Sequence, residues 1–216
     1  DPHSGVQEAM RLAASATRPV VIADTQDNPG AGGDSNTAGM LRALVENRAE
    51  KAALGLMVDT TAAEIAHRAG IGAEVNLSFG GHSGFDGDDP FEALYTVENL
   101  HDGRFDATGP FYKGAKFNLG PSACLKVGGT RVVLACNKVQ LADQAMYRFV
   151  GIEPTERRFL MLKSRIHYRV GFRDLAREVV ECAGLGVCTS DYSEITFNNV
   201  RRPIYPLDEV SSRMAL

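Results

Sequence analysis

Apolar residues recur near a helical period from Ser4 to Ala16, at Val6, Met10, Leu12 and Ala13, and Thr17-Arg18-Pro19 ends the run. The pattern then turns continuous: Pro19-Val20-Val21-Ile22 reads as a buried strand. A glycine-rich loop, Ala23 to Asn36, separates it from a second helical pattern, Thr37 to Glu46, carried by Met40, Leu41, Leu44 and Val45. Ala52 to Val58 is a second unbroken apolar run, and Asp59-Thr60-Thr61 can cap a helix from Ala62 to Ala69. Strand, helix, strand, helix predicts a parallel α/β unit. Ala73 to Phe79 alternates apolar and polar, which predicts a strand with one face in the core.

From Ala93 to Asn137 the segments become short, β-prone and punctuated by glycine: Leu94 to Leu100, Phe111 to Leu119, Ala123 to Val127 and Arg131 to Ala135. Gly128-Gly129 joins the last two as a hairpin, so this section should be antiparallel. Helical texture returns from Gln140 to Arg148, and Gly151-Ile152-Glu153-Pro154 opens a further turn. Phe159 to Leu162 predicts a short buried strand, followed by a helix that begins at Lys163 and runs through Phe172, Leu175 and Ala176. Glu178 to Cys182 reads as a strand, and the tail from Thr189 is loop-rich. The predicted fold is α/β: a mixed sheet with flanking helices, a parallel α/β N-terminal half and a more antiparallel, β-rich middle section, in a single domain over residues 1–216.

With 216 residues and 44% hydrophobic content the chain can bury its own core. Its net charge of -4, with scattered basic residues, gives no reason to expect nucleic acid. The sequence lacks an apolar run near the roughly 20 residues that span a bilayer and lacks signal-peptide order at its start, so no membrane association and a cytoplasmic protein are expected. Self-association into a homo-oligomer stays open. Cys124, Cys136, Cys182 and Cys188 have no Cys-x-x-Cys spacing and read as reduced core thiols, with a Cys182–Cys188 disulfide as the alternative.

The loop after the first strand carries the candidate chemistry. Gly30, Gly32 and Gly33 permit a close backbone approach, and Asp34, Ser35 and Asn36 are N-cap types for the next helix. Asp27 and Asn28 lie just beyond the carboxyl end of a buried strand, where open α/β sheets place ligands. Their side chains should therefore be partly accessible. The plainer reading makes Asn28-Pro29-Gly30 a turn and the Asp-Ser-Asn run a cap. Neither a P-loop nor a dinucleotide fingerprint is present. Lys163, Ser164, Arg165, His167 and Arg169 repeat the arrangement: a strand end, a capping type and cations near a helix start, suited to a carboxylate or phosphate. The alternative is a solvated basic face. Both loops follow strands of one sheet, so the Asp27–Ser35 loop and the Lys163–Arg169 segment should meet at one sheet edge.

The histidines at 3, 67, 82, 101 and 167 form no His-x-x-x-His or His-Glu-x-x-His spacing, so no self-contained zinc site is visible. The acidic loop Gly81 to Asp89 lacks the ligand alternation of an EF-hand. No Gly-x-Ser-x-Gly elbow surrounds any serine.

The run Asp24-Thr25-Gln26-Asp27-Asn28-Pro29-Gly30 with Gly33-Asp34-Ser35, then Lys163-Ser164-Arg165-Ile166-His167-Tyr168-Arg169, then Arg201-Arg202-Pro203-Ile204-Tyr205-Pro206-Leu207-Asp208, resembles the C-terminal domain of MlrC-type (microcystinase C) metallopeptidases over nearly the whole chain. Two departures stand out. Gly32-Gly33-Asp34 runs direct where family members carry a longer loop, and the text around His82 differs from the family's. The resemblance implies a piece of a longer chain, with zinc bound mainly by an N-terminal metallopeptidase domain as its partner and no metal ligand here. It implies a peptide or related amide substrate, hydrolysed by the full-length protein and not by this part alone. Combined with the loop chemistry, it points to Asp27 and His167 as catalytic and to Asn28, Gly30, Asp34, Ser35, Lys163, Ser164, Arg169 and His82 as substrate-binding. The rival reading is a non-catalytic small-molecule module that binds a carboxylate or phosphate at two helix N-termini.

Overall fold

A computed structural model describes residues 1–209. In chain order the elements are α1 (Pro2–Ala13), β1 (Val20–Asp24), α2 (Gly39–Glu46), β2 (Ala52–Val58), α3 (Thr60–Ala69), β3 (Glu74–Phe79), β4 (Phe91–His101), β5 (Arg104–Asp106), β6 (Lys116–Asn118), β7 (Ser122–Val127), β8 (Thr130–Ala135), α4 (Ala145–Arg148), β9 (Phe159–Lys163), α5 (Tyr168–Phe172) and β10 (Val179–Cys182). An eight-stranded sheet runs β10-β1-β9-β2-β8-β7-β4-β3, and β5 and β6 form a separate ribbon. The β10-β1-β9-β2-β8 stretch is parallel, and β7, β4 and β3 extend it antiparallel. The α/β class with a mixed sheet is the predicted one.

The parallel strands are apolar throughout because both faces are covered. On one face, Val20, Ile22, Leu54 and Met161 pack with Val6 and Ala9 of α1, Met40, Leu41 and Leu44 of α2, and Ala62 and Ala66 of α3. On the other, Val21, Ala23, Leu160 and Leu162 meet Met146 and Tyr147 of α4, and Tyr168 and Phe172 of α5. Each fully buried aliphatic side chain contributes roughly 1.5–3 kcal/mol. β1 and β9 are neighbours, yet the chain leaves β1 for α2 on one face and leaves β9 for α5 on the other. That divergence lies at the carboxyl end of the sheet, the place where ligands bind in open α/β folds.

Several elements differ from expectation. The helix expected from Lys163 begins only at Tyr168 and spans five residues, because Lys163 completes β9 and the Ser164 N–H extends the ladder to the Asp24 carbonyl at 3.1 Å. The helix expected from Gln140 starts at Ala145, whose N–H donates to the Asp143 carboxylate at 2.9 Å. Of Phe111 to Leu119 only Lys116–Asn118 is strand. α2 starts at Gly39 behind Ala38 and has no side-chain cap, so Asp34, Ser35 and Asn36 do not cap it.

Candidate functional site

The register of β1 and β9 sets Asp24 directly beside Lys163. Strand alternation puts both side chains on the face of α2. There the Lys163 ammonium donates to Asp27 Oδ2 at 2.6 Å, Thr37 O at 3.0 Å, Thr37 Oγ1 at 3.2 Å and Asp24 Oδ2 at 3.4 Å. Asp27 accepts further bonds from the Ser35 N–H at 2.7 Å and from the Thr37 N–H and hydroxyl at 2.9 Å each. Its carboxylate thereby folds the loop back onto the sheet and holds Ser35 at a φ of 60°. The Ser35 hydroxyl is used inward too, donating to Leu56 O at 2.7 Å.

The cluster is closed. Asp24 and Lys163 are 0% exposed, Asp27 2% and Asn28 3%, so the expected partial access of Asp27 and Asn28 is wrong. The lid is the stretch after β10. A Cβ on Gly186 would stand 2.3 Å from the Gln26 carbonyl carbon and one on Gly184 3.1 Å from Asp24 Oδ1, so only glycine lets this stretch lie so close. Cys188 N–H donates to Gln26 O at 3.1 Å, and the Cys188 thiol contacts Ala31 O at 3.2 Å.

Burial alone would raise the Asp27 pKa, but the Lys163 charge, its hydrogen bond and the Thr37 donors outweigh it and hold the carboxyl below its ordinary value. Asp24 moves the opposite way. Its complete burial pushes it up, Lys163 only partly opposes this, and the Asp27 charge adds to the rise. Burial would lower Lys163, yet the two carboxylates hold it above the ordinary lysine value. Asp27 and Lys163 therefore form the firm ion pair, and Asp24 is the carboxyl that takes up a proton more readily.

A second network begins at Ser164, the next residue along the chain after Lys163. Gln140, 5% exposed, donates through Nε2 to the fully buried Ser164 hydroxyl at 2.9 Å and turns Oε1 toward His167 Nδ1 at 3.1 Å. His167 is exposed and stacks on Phe111 with centroids 4.5 Å apart. Gly30 packs against the same amide, and its N–H donates to Asn28 Oδ1 at 3.0 Å. Gln140 was not singled out from the sequence; it sits in a loop with no motif around it. The loop from Asp27 to Ser35 and the segment from Lys163 to His167 do meet.

Three candidates stand elsewhere. Asp34 is exposed and pairs with Lys138 at 2.6 Å. Arg169 points to Glu181 of β10, away from the Gln140 network. His82 lines a separate surface cavity of about 430 Å³ with Asn36, Asp59 and Asn76.

Residues 22–199 match the family described as the MlrC C-terminus. The chain belongs to the MlrC C-terminal family. This MlrC C-terminal domain is 28% identical over 211 residues to microcystinase C of Sphingomonas sp., covering 97% of the chain and 40% of that protein. It superposes with a TM-score of 0.83, at 25% identity, on a Mesorhizobium sp. BNC1 protein assigned as a metallopeptidase, covering 95% of the chain and 41% of its counterpart. The chain thus spans about two fifths of both relatives, 40% and 41%.

Among the described residues of this MlrC domain no three His, Cys, Asp or Glu side chains converge on one point. Asp24 and Asp27 hold a cation between them, the Lys163 ammonium. The four cysteines are free thiols. No helix among these residues is long and apolar enough to cross a membrane.

Proposed function

We propose that this chain is the substrate-side, C-terminal domain of a zinc-dependent metallopeptidase that hydrolyses a peptide or related amide, with zinc held mainly by an N-terminal metallopeptidase domain that is its partner. The observation that carries the reading is the carboxyl-edge site of an MlrC C-terminal fold, where exposed His167 stands anchored to a buried amide and hydroxyl. The names of the two relatives support the reaction class, and their greater length supports the division of labour. His167 is the group that meets the substrate. Asp27, Asn28, Ser35, Lys163 and Ser164 act behind it, fixing the loop and the strand end that frame it. In this reading Asp27 is a positioning residue.

The rival, an anion-binding module at two helix N-termini, draws less support from the geometry. α5 has only five residues and begins at Tyr168, within the basic cluster, and Asp27 accepts the Ser35 and Thr37 N–H groups that precede α2. The experiment is to assay a linear peptide with the zinc-loaded full-length protein and with the 216-residue chain under the same conditions. Turnover is expected from the first only. Turnover by the chain alone overturns the division of labour.

A further inference from the structure

His167 has two ring nitrogens, and its chemistry depends on which one carries the proton. Its Nδ1 faces Gln140 at 3.1 Å, so the orientation of one buried amide decides the tautomer. Ser164 does not settle that orientation, because a hydroxyl can donate or accept. Gly30 does. A glycine presents a Cα–H along the direction a Cβ would take, and a carbon placed there would be 2.3 Å from the Gln140 amide atom on that side. An oxygen in that place accepts a Cα–H···O contact, whereas an NH2 group would set hydrogen against hydrogen. The atom facing Gly30 and His167 is therefore Oε1. It can only accept, so Nδ1 must donate.

We propose that Gln140, seated by Gly30 and Ser164, is a positioning residue that keeps the neutral His167 ring protonated on Nδ1 and leaves Nε2 as an unprotonated acceptor. Phe111 stacked on the ring limits its rotation. Nε2 lies across the ring from Nδ1 and the buried amide, and the residue as a whole is exposed. The ligand class is a group with an O–H or N–H to offer, such as a peptide N–H or a polarised water, whose hydrogen bond Nε2 accepts while the Nδ1 proton stays on the Gln140 bond. Gly30 enters as the residue whose missing side chain makes room for the amide oxygen. The catalytic meaning rests on the metallopeptidase reading, but the tautomer does not.

Nitrogen-15 NMR of the imidazole in the 216-residue chain, at a pH where His167 is neutral, reads this directly. Wild type should show Nδ1 protonated and Nε2 bare. Gln140→Leu should lose that preference and Gln140→Glu, which keeps an acceptor, should retain it. Gly30→Ala, which pushes on the amide without touching His167, should shift the ring toward the Nδ1-bare form. A wild-type ring protonated on Nε2, or a tautomer that Gln140→Leu and Gly30→Ala both leave unchanged, overturns the proposal. Loss of turnover in full-length Gln140→Leu, with recovery in Gln140→Glu, extends the result to catalysis. Equal turnover in all three overturns the catalytic role and leaves the metallopeptidase reading to its own test.

Discussion

At the residue scale, the ion cluster of Asp24, Asp27 and Lys163 governs how the site responds to mutation and pH. Removing one partner of a buried pair strands the other's charge and costs roughly 3–5 kcal/mol. Asp27→Ala and Lys163→Met should each lower unfolding free energy by about that amount in denaturant melts, whereas a change within about 0.5 kcal/mol, the range of an ordinary surface substitution, would contradict the cluster's role. The pH dependence follows from the shifts. Asp27, held below its unfolded value, adds stability that is present above the ordinary carboxylate range and is lost as pH falls through its lowered folded value. Lys163, held above, adds stability below the ordinary lysine range and loses it as pH rises through its raised value. Asp24, raised, has the opposite sign to Asp27: the folded form gains as it is protonated. Mild acidification should therefore stabilise the wild type relative to Asp24→Asn before both lose stability at lower pH. Melting curves of the two proteins that run parallel across the acid range would refute this assignment. The sequence showed these residues only in part: an acid after Val-Val-Ile-Ala and a base after Phe-Leu-Met-Leu are opposite charges at the ends of two buried strands. Nothing in the sequence alone says those strands are neighbours.

Elements were legible where pattern and burial agree. β2 matches its apolar run from Ala52 to Val58, and Gly128-Gly129 does join β7 to β8. They were illegible where a tertiary hydrogen bond competes with local propensity. Lys163 stays extended because its ammonium is claimed across the sheet, and Gln140 leaves the helical pattern to reach Ser164 and His167. The glycine-rich loop from Ala23 to Asn36 was legible as a built structure, but as a folded-in loop rather than an open cradle. Gly33 is one reason: a Cβ there would stand 2.6 Å from Asn28 N, backbone that cannot swing aside. Gly33→Ala should destabilise by about 1–3 kcal/mol. Gly39 opens α2 with only Pro2 Cγ at 3.6 Å from its Cβ position, so Gly39→Ala should instead stabilise by about 0.4–1 kcal/mol. Chemical denaturation of both variants tests the contrast, and equal effects would show that loop packing does not set the glycine requirement.

At the scale of the whole molecule, the chain covers 40% of microcystinase C and 41% of the Mesorhizobium protein, and among its described residues no three His, Cys, Asp or Glu side chains converge. In the proposed enzyme the chemistry is divided, with the metal in one part and an oriented imidazole on the carboxyl edge of this one. The parallel stretch makes that edge available. β1 and β9 send their helices to opposite faces, and the carboxyl ends of the two strands carry both the ion cluster and the Gln140 network. The cluster sets where β9 ends, and the end of β9 sets where His167 stands. The most direct measurement is turnover of a linear peptide by the zinc-loaded full-length protein and its His167→Ala variant, with zinc content and melting temperature recorded for both. The account predicts a loss of at least about tenfold, or about 1.4 kcal/mol in the barrier, with zinc content and melting temperature unchanged; turnover equal to wild type would contradict it.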